Sequence, residues 1–287
     1  MVDIRQTVQY ANYLEKIGWV VEKSGEINYF IKKLPLVGSI IKVQRPEEIR
    51  INKIRQLSKK YHAFQIIIEP KTEFDAKYLS SLGFRLTKSP YLPTKTLQLD
   101  LTKSREALWR NLEKDAKSAI LEKIGSEPDF YNYKKLIKSE AIDVVKTGKN
   151  QQNTIGLFRE GWKRAVKWKR YVPPFSHLLA LKKLFKENSL FLVTPNYSSG
   201  TIFLIGDKIG YYWQAFTNKE GRKILAQYKI VWEGILWAKK MGARIFDFEG
   251  IYDERFPNKS WLGFTHFKKS FGGYEVAYPG TFVKWFL

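Results

Sequence analysis

The sequence predicts an α/β protein with mixed α+β sheets, built as two units of similar design, and three observations support this. Residues 39–68 read as strand, helix, strand. Residues 190–248 read as three short strands, then a helix and a fourth strand. In each half an amphipathic helix stops at a glycine, Gly83 or Gly242, before the chain resumes as an apolar run. A chain of 287 residues with 44% hydrophobic content can bury a sizeable core in one large or two ordinary domains, and the repeated pattern favours two.

In chain order, Tyr10, Tyr13, Leu14 and Ile17 mark one helix face that closes before Gly18. Short strands follow near 19–21 and 29–32, with Ser24-Gly25 as their turn. The 39–43 strand ends at Arg45-Pro46. Pro46 fits the first turn of a helix, Glu47 and Glu48 complement its dipole, and Ile51, Ile54, Leu57 and Tyr61 form its buried stripe. The apolar run 64–68 is a strand closed by Glu69-Pro70, and a short helix carrying Phe74, Tyr78, Leu79 and Leu82 stops at Gly83.

Leu97, Leu99 and Leu101 alternate with polar residues as a half-buried strand does, and Thr102 or Ser104 can cap a helix running to about Leu121. A further segment opens at 130–138, a helix spans about 154–169, and 177–186 is helical around Leu178 and Leu181. The 190–194, 201–205 and 208–216 runs form a meander with turns at 195–200 and at Gly206-Asp207. The next helix carries Tyr228, Val231, Trp232, Ile235, Leu236 and Ala238, and Ile245, Phe246 and Phe248 make the strand after it. Asp247, Glu249 and Gly250 fall at the end of that strand, where ligand sites of open α/β sheets gather. Two apart on a strand, the carboxylates point the same way, for general-base or metal chemistry or to be satisfied by backbone N–H groups.

Charge narrows the function. Lys and Arg number 50 against 28 Asp and Glu, a net charge of +22, which favours a polyanionic partner: nucleic acid or an anionic membrane surface. The excess concentrates between Arg159 and Lys186, where Arg159, Lys163, Arg164, Lys167, Lys169, Arg170, Lys182, Lys183 and Lys186 face one acid, Glu160. Trp162, Trp168, Tyr171 and Phe175 are interleaved with them, and aromatic faces beside cations suit unpaired bases; the alternative is a solvated lysine-rich face. The absence of cysteine excludes disulfides and thiol chemistry and fits a reducing compartment. No apolar run approaches the ~18 residues of a spanning helix and the start shows no signal pattern, so a cytoplasmic protein is expected. Dinucleotide, P-loop, zincin and α/β-hydrolase motifs lack their residues, and His62, His177 and His266 are too scattered for a metal site.

The series Tyr211-Tyr212-Trp213-Gln214-Ala215-Phe216, the Trp232 helix, Phe246-Asp247-Phe248-Glu249-Gly250-Ile251, and Phe267-Lys268 with Phe271-Gly272-Gly273 resembles, in order and spacing, the C-terminal half of the Fem aminoacyltransferases. Those enzymes move an amino acid from aminoacyl-tRNA to the stem peptide of a peptidoglycan precursor. Arg45-Pro46 is similar to the family's RGP-type segment, and the 97–101 strand followed by Leu108-Trp109 to its LDL strand and helix. The helix after Leu108 lacks the family's arginine-rich ending, and no heptad-rich insertion for a coiled-coil arm is present.

The resemblance implies two GNAT-like domains facing across a cleft. Residues 1–95 would form the first and 96–287 the second, with the last residues packing back on the first. It also implies Lys268 as the catalytic cation and Phe267 as lining for the acceptor end of the tRNA; proton removal is open between the substrate itself and Asp247. Lys268 carries the alternative reading of a surface lysine with a solvated head. Lys42 and Arg45 are candidates for the precursor's phosphates, with the alternative of ordinary surface cations, and Tyr212, Trp213, Glu249 and Arg170 for other substrate contacts, Trp213 with a core reading beside it. Arg159, Lys163, Arg164, Lys167, Lys169, Lys182 and Lys183 are tRNA candidates. No cofactor and no metal are expected. The expected partners are aminoacyl-tRNA and a nucleotide-linked or lipid-linked peptidoglycan precursor, with peripheral contact at the inner membrane face and a monomeric chain. Transfer to a protein or lipid acceptor, or RNA binding without catalysis, are the competing readings.

Overall fold

The computed structural model of the protein describes residues 1–121, 145–146, 151–194 and 196–286. The segment expected at 130–138 lies outside the described residues. Two mixed sheets organise the chain. The first contains β1 (Val20–Ser24), β2 (Ile27–Leu34), β3 (Gly38–Gln44), β4 (Ala63–Glu69) and β5 (Arg85–Leu86). The last strand of the chain, β13 (Phe282–Trp285), inserts between β4 and β5. β3 and β4 run parallel, joined by the Ile51–Lys60 helix, whose Ile54 and Leu57 pack on Ile41, Ile66 and Ile68.

The second sheet takes its order from β12 (Tyr274–Ala277), β6 (Lys95–Asp100), β11 (Ile245–Gly250), β10 (Ile209–Thr217), β9 (Ser199–Gly206), β8 (Ser189–Val193) and β7 (Val145–Lys146). Every residue of β9 is buried, because apolar layers cover both its faces. On one side Phe203, Phe246 and Phe248 pack with Trp232 and Ile235 of the Ala226–Lys240 helix. On the other, Ile202, Phe191 and Tyr211 pack with Phe158 and Trp162 of the Gln151–Val166 helix and Leu178 and Leu181 of the Phe175–Phe185 helix.

One irregularity of this sheet positions the site. β10 and β11 are parallel but pair only from Ile209–Tyr211 to Ile245–Asp247; beyond that both strands continue unpaired with each other. Next to this gap a one-residue bulge separates Asp247 from Gly250 against β6, and Glu249 within it takes the left-handed φ of 57°. The strands therefore splay, and a wedge opens at their ends.

The N-terminal turn Ile4–Gln6 sits between the two sheets. The Ile4 N–H donates to the Tyr211 hydroxyl of the second sheet, and the Gln6 side chain donates to the Gln44 carbonyl of the first.

Two expected helices differ from the sequence reading. The helix expected at Pro46 begins at Ile51, because Arg45 turns into the left-handed region at φ 46° and Glu47 and Glu48 pair with Lys71 and Arg50 instead of capping a helix. The helix expected to run to Leu121 is capped by Ser104 but breaks into Arg105–Arg110 and Lys114–Leu121, where the Glu113 N–H leaves the helical ladder to donate to the Ser270 carbonyl.

Candidate active site

The wedge between β10 and β11 opens into a cavity of about 900 Å³. Its walls are the outer half of β10, the start of the Ala226–Lys240 helix, the bulge at Glu249-Gly250, and the Leu262–Lys269 helix. That helix lays Phe264, Phe267 and Lys268 along the cavity, while Thr265 and Lys268 point inward. Phe267 is fixed edge-to-face against Tyr228 at 4.8 Å and against Phe271 at 5.5 Å.

Lys268 is 7% exposed. Its Nζ donates to the Gly250 carbonyl at 2.5 Å and lies 5.5 Å and 5.3 Å from the ring centroids of Tyr212 and Phe264. Burial lowers its pKa to about 8, against the opposing pull of Glu249 and Asp247. This lysine is thus held in a dry wall, with one bond anchoring it and donor capacity left toward the cavity. Gly250 is required there: a Cβ would come within 2.3 Å of the Trp261 ring.

Behind the wall lies a buried charge network. The Arg5 guanidinium donates through Nη2 to both Glu249 carboxylate oxygens at 3.1 and 3.2 Å and through Nη1 to Asp3 at 3.1 Å, and it lies 5.1 Å over the Trp213 ring. Arg45 pairs with Asp3 at 3.2 Å, donates to the Pro93 carbonyl at 2.7 Å and stacks on Tyr278 at 3.7 Å. Asp247 accepts from Gln98 at 2.8 Å and from the Glu249 N–H at 2.6 Å. Burial, with Glu249 close by, raises the Asp247 carboxyl to about 6.

The sequence-predicted residues divide accordingly. Lys268, Phe267, Tyr212, Trp213, Glu249, Lys169 and Arg170 all line the cavity. Asp247 does not; it stands behind Glu249, 2% exposed, among Gln98 and Thr96, and the bulge interrupts the shared direction expected of the two carboxylates. Arg45 is 2% exposed and committed to Asp3, Pro93 and Tyr278, so it presents no free cation to a phosphate. Lys42 lies half-buried between the Trp19 and Tyr91 rings, away from the cavity.

Of the basic stretch, Lys163, Arg164, Lys167, Lys169, Arg170 and Lys183 are exposed, and Trp168 and Tyr171 stand out at 87% and 74%. Arg159 is half-buried and donates to the Pro173 carbonyl. Lys182 is withdrawn from solvent: its Nζ donates to the Lys186 and Ser189 carbonyls at 2.9 Å each, closing its helix. Trp162, grouped with the exposed aromatics in the sequence, is a core residue. Asp3, Arg5 and Gln98 had no motif to announce them. Among the described residues no group of three potential metal ligands comes together.

Residues 194–286 match the model of the FemAB family, and they include Lys268, Phe267 and the β10–β11 wedge. The resemblance to the Fem family rests on the segment that first suggested it. No curated protein matches the chain. Among solved structures, a crystal structure of FemX aligns with a TM-score of 0.73 at 15% identity, over 99% of this chain and 92% of that one. The structure of L-PGS from Bacillus licheniformis aligns at 0.54 and 12% identity, over 95% and 86%. A tandem GNAT protein from the clavulanic acid biosynthesis pathway aligns at 0.53 and 11%, over 92% and 81%. The chain therefore has a two-unit GNAT-like fold, and among the described residues no helix exceeds the 16 residues of Gln151–Val166.

Proposed function

We propose that this protein is an aminoacyltransferase that takes an amino acid from aminoacyl-tRNA and joins it to the amine of a peptidoglycan-precursor stem peptide. The observation that carries the reading is Lys268: a buried ammonium in the wall of a large cavity, inside the segment that matches the FemAB family. The exposed cations and the aromatic pair Trp168 and Tyr171 support an RNA donor, since Lys169 and Arg170 belong to the same cavity rim.

The aminoacyl ester is already activated, so the protein's task is to place the two substrates and to stabilise charge. The acceptor amine attacks the ester carbonyl, a C–N bond forms, and the C–O bond to the ribose breaks. Lys268 donates to the oxygen that gains negative charge, first the tetrahedral oxyanion and then the departing ribose oxygen. The proton lost by the amine ends on that ribose oxygen, so the lysine keeps its own. Phe267, Phe264 and Tyr212 keep the site dry, which strengthens this hydrogen bond.

The test is an acceptor panel: one pool of labelled aminoacyl-tRNA with a nucleotide-linked precursor, a lipid-linked precursor, a phosphatidylglycerol vesicle and a denatured protein. Label in a precursor stem peptide supports the proposal. Label only in phospholipid or protein, or no ester consumed despite RNA binding, overturns it.

A further inference from the structure

One end of the first sheet carries apolar side chains that no described residue covers. At the turn between β2 and β3, Leu36 is fully exposed and Val37 is 62% exposed. Gly38 brings this turn against Phe64: a Cβ on it would lie 3.6 Å from the ring. Phe64 stacks on Trp285 with centroids 6.0 Å apart, and the Phe286 N–H donates to the Phe64 carbonyl. Trp285 and Phe286 are 58% and 40% exposed. Strand register explains the gathering. The end of β2, the starts of β3 and β4 and the end of β13 all fall on one edge of the sheet.

Cations surround the patch. Lys284 lies over the Phe286 ring at 5.9 Å, and Lys33 and Lys60 over the Tyr61 ring at 5.5 and 5.0 Å. The segments 30–39, 55–64, 82–86 and 282–286 together contain seven lysines and arginines and no aspartate or glutamate. The acid that does reach this end is Glu22, paired with Lys60 at 2.6 Å and bonded to the Tyr61 hydroxyl. Arg45, of the charge network behind the cavity wall, follows the opposite end of β3, so this end points away from it.

We propose that this end of the first sheet docks on an anionic lipid surface. Leu36 and Val37 enter the boundary between headgroups and acyl chains. Trp285 lies at headgroup level, and the lysines meet lipid phosphates. A projecting apolar turn among segments that carry seven cations and no acid of their own, with Glu22 reaching in from β1, has the charge and shape complementary to such a surface. Lys33 is exposed beside the turn, while the Lys284 and Lys60 ammonium groups rest on the Leu82 carbonyl and on Glu22 at the rim of the patch. This proposal does not depend on the acyl-transfer reading, because lipid binding is read without any transfer.

The experiment is co-sedimentation of the full chain with vesicles, either pure phosphatidylcholine or phosphatidylcholine with about one-third phosphatidylglycerol, at low and high salt. The wild type is expected to bind the anionic vesicles, to release them with rising salt, and to ignore the neutral ones. The double variant Leu36→Asp/Val37→Asp, whose side chains make no core contact, is expected to keep its melting temperature and lose about a hundredfold in vesicle affinity, the scale of two apolar side chains withheld from burial. Lys163→Glu/Lys167→Glu, on the other basic face, is expected to bind as the wild type does. Absence of wild-type binding, equal binding by the Leu36/Val37 variant, or loss through the Lys163/Lys167 variant alone would each overturn the proposal. So would a concentration-dependent dimer that Leu36→Asp/Val37→Asp abolishes without any effect on vesicles.

Discussion

Two lysines and two arginines show how much position decides what a cation does. Lys268 and Lys182 are both buried, yet Lys182 spends two bonds on helix-end carbonyls while Lys268 spends one and faces a cavity. Arg45 and Arg5 both lie in the network that joins the units, yet only Arg5 grips a cavity residue, Glu249. Residue type announces none of this, because lysine and arginine are ordinarily exposed and are buried only when paired. The family resemblance singles out Lys268, and the structure places it in the cavity wall. Arg45 reads from the sequence as a phosphate candidate because nothing there signals that Asp3 returns to it. Since the Lys268 pKa is lowered to about 8, transfer that needs its ammonium should fall as pH rises through about 8, and a pH–rate profile with a stable acceptor would show it. A rate that is flat through that range would argue against an ammonium role. Replacing Arg5 with Gln should leave the Glu249 carboxylate without its guanidinium and Asp3 with Arg45 alone, at a cost of about 3 kcal/mol in denaturant unfolding. It should also lower kcat more than it raises KM, and a combined Arg5→Gln/Glu249→Gln variant should recover part of the stability.

At the level of elements, most helices and strands follow from periodicity and glycine stops, and they lie within a few residues of where the sequence places them. The exceptions sit at the site. The Phe246-Asp247-Phe248-Glu249 alternation reads as a plain strand, and nothing in it signals the bulge or the positive φ of Glu249, which depend on the neighbouring strands. The early stop of β10–β11 pairing is equally a tertiary feature. Gly273 shows the same dependence: its φ is 107° and a Cβ would strike the Gln98 carbonyl at 2.4 Å, a contact set by β6 across the sheet. The Gln151–Val166 helix and the loop after it hold the exposed Trp168 and Tyr171 beside cavity residues Lys169 and Arg170. Trp168→Ala/Tyr171→Ala should therefore raise KM for aminoacyl-tRNA by about tenfold or more, the scale of one or two lost base-stacking contacts, with kcat little changed. A filter-binding titration of charged tRNA against the variant checks it.

The whole molecule combines two GNAT-like units, the second threaded back to the first by β13 and the two locked by the N-terminal turn. Its charge of +22 was the loudest feature of the composition, but composition could not divide that charge. The structure separates an exposed cationic and aromatic face beside the cavity from a second cationic field around the Leu36 turn. We propose a different polyanion for each face, an RNA at one and a lipid surface at the other. At the cavity wall, we propose, a buried lysine stabilises the reacting ester. Single-turnover transfer from preformed aminoacyl-tRNA, comparing the wild type with Lys268→Met under saturating substrates, tests it most directly. A rate lower by about a hundredfold or more with unchanged melting temperature is expected, the scale of one lost oxyanion donor. Transfer at the wild-type rate by a folded Lys268→Met protein would contradict it.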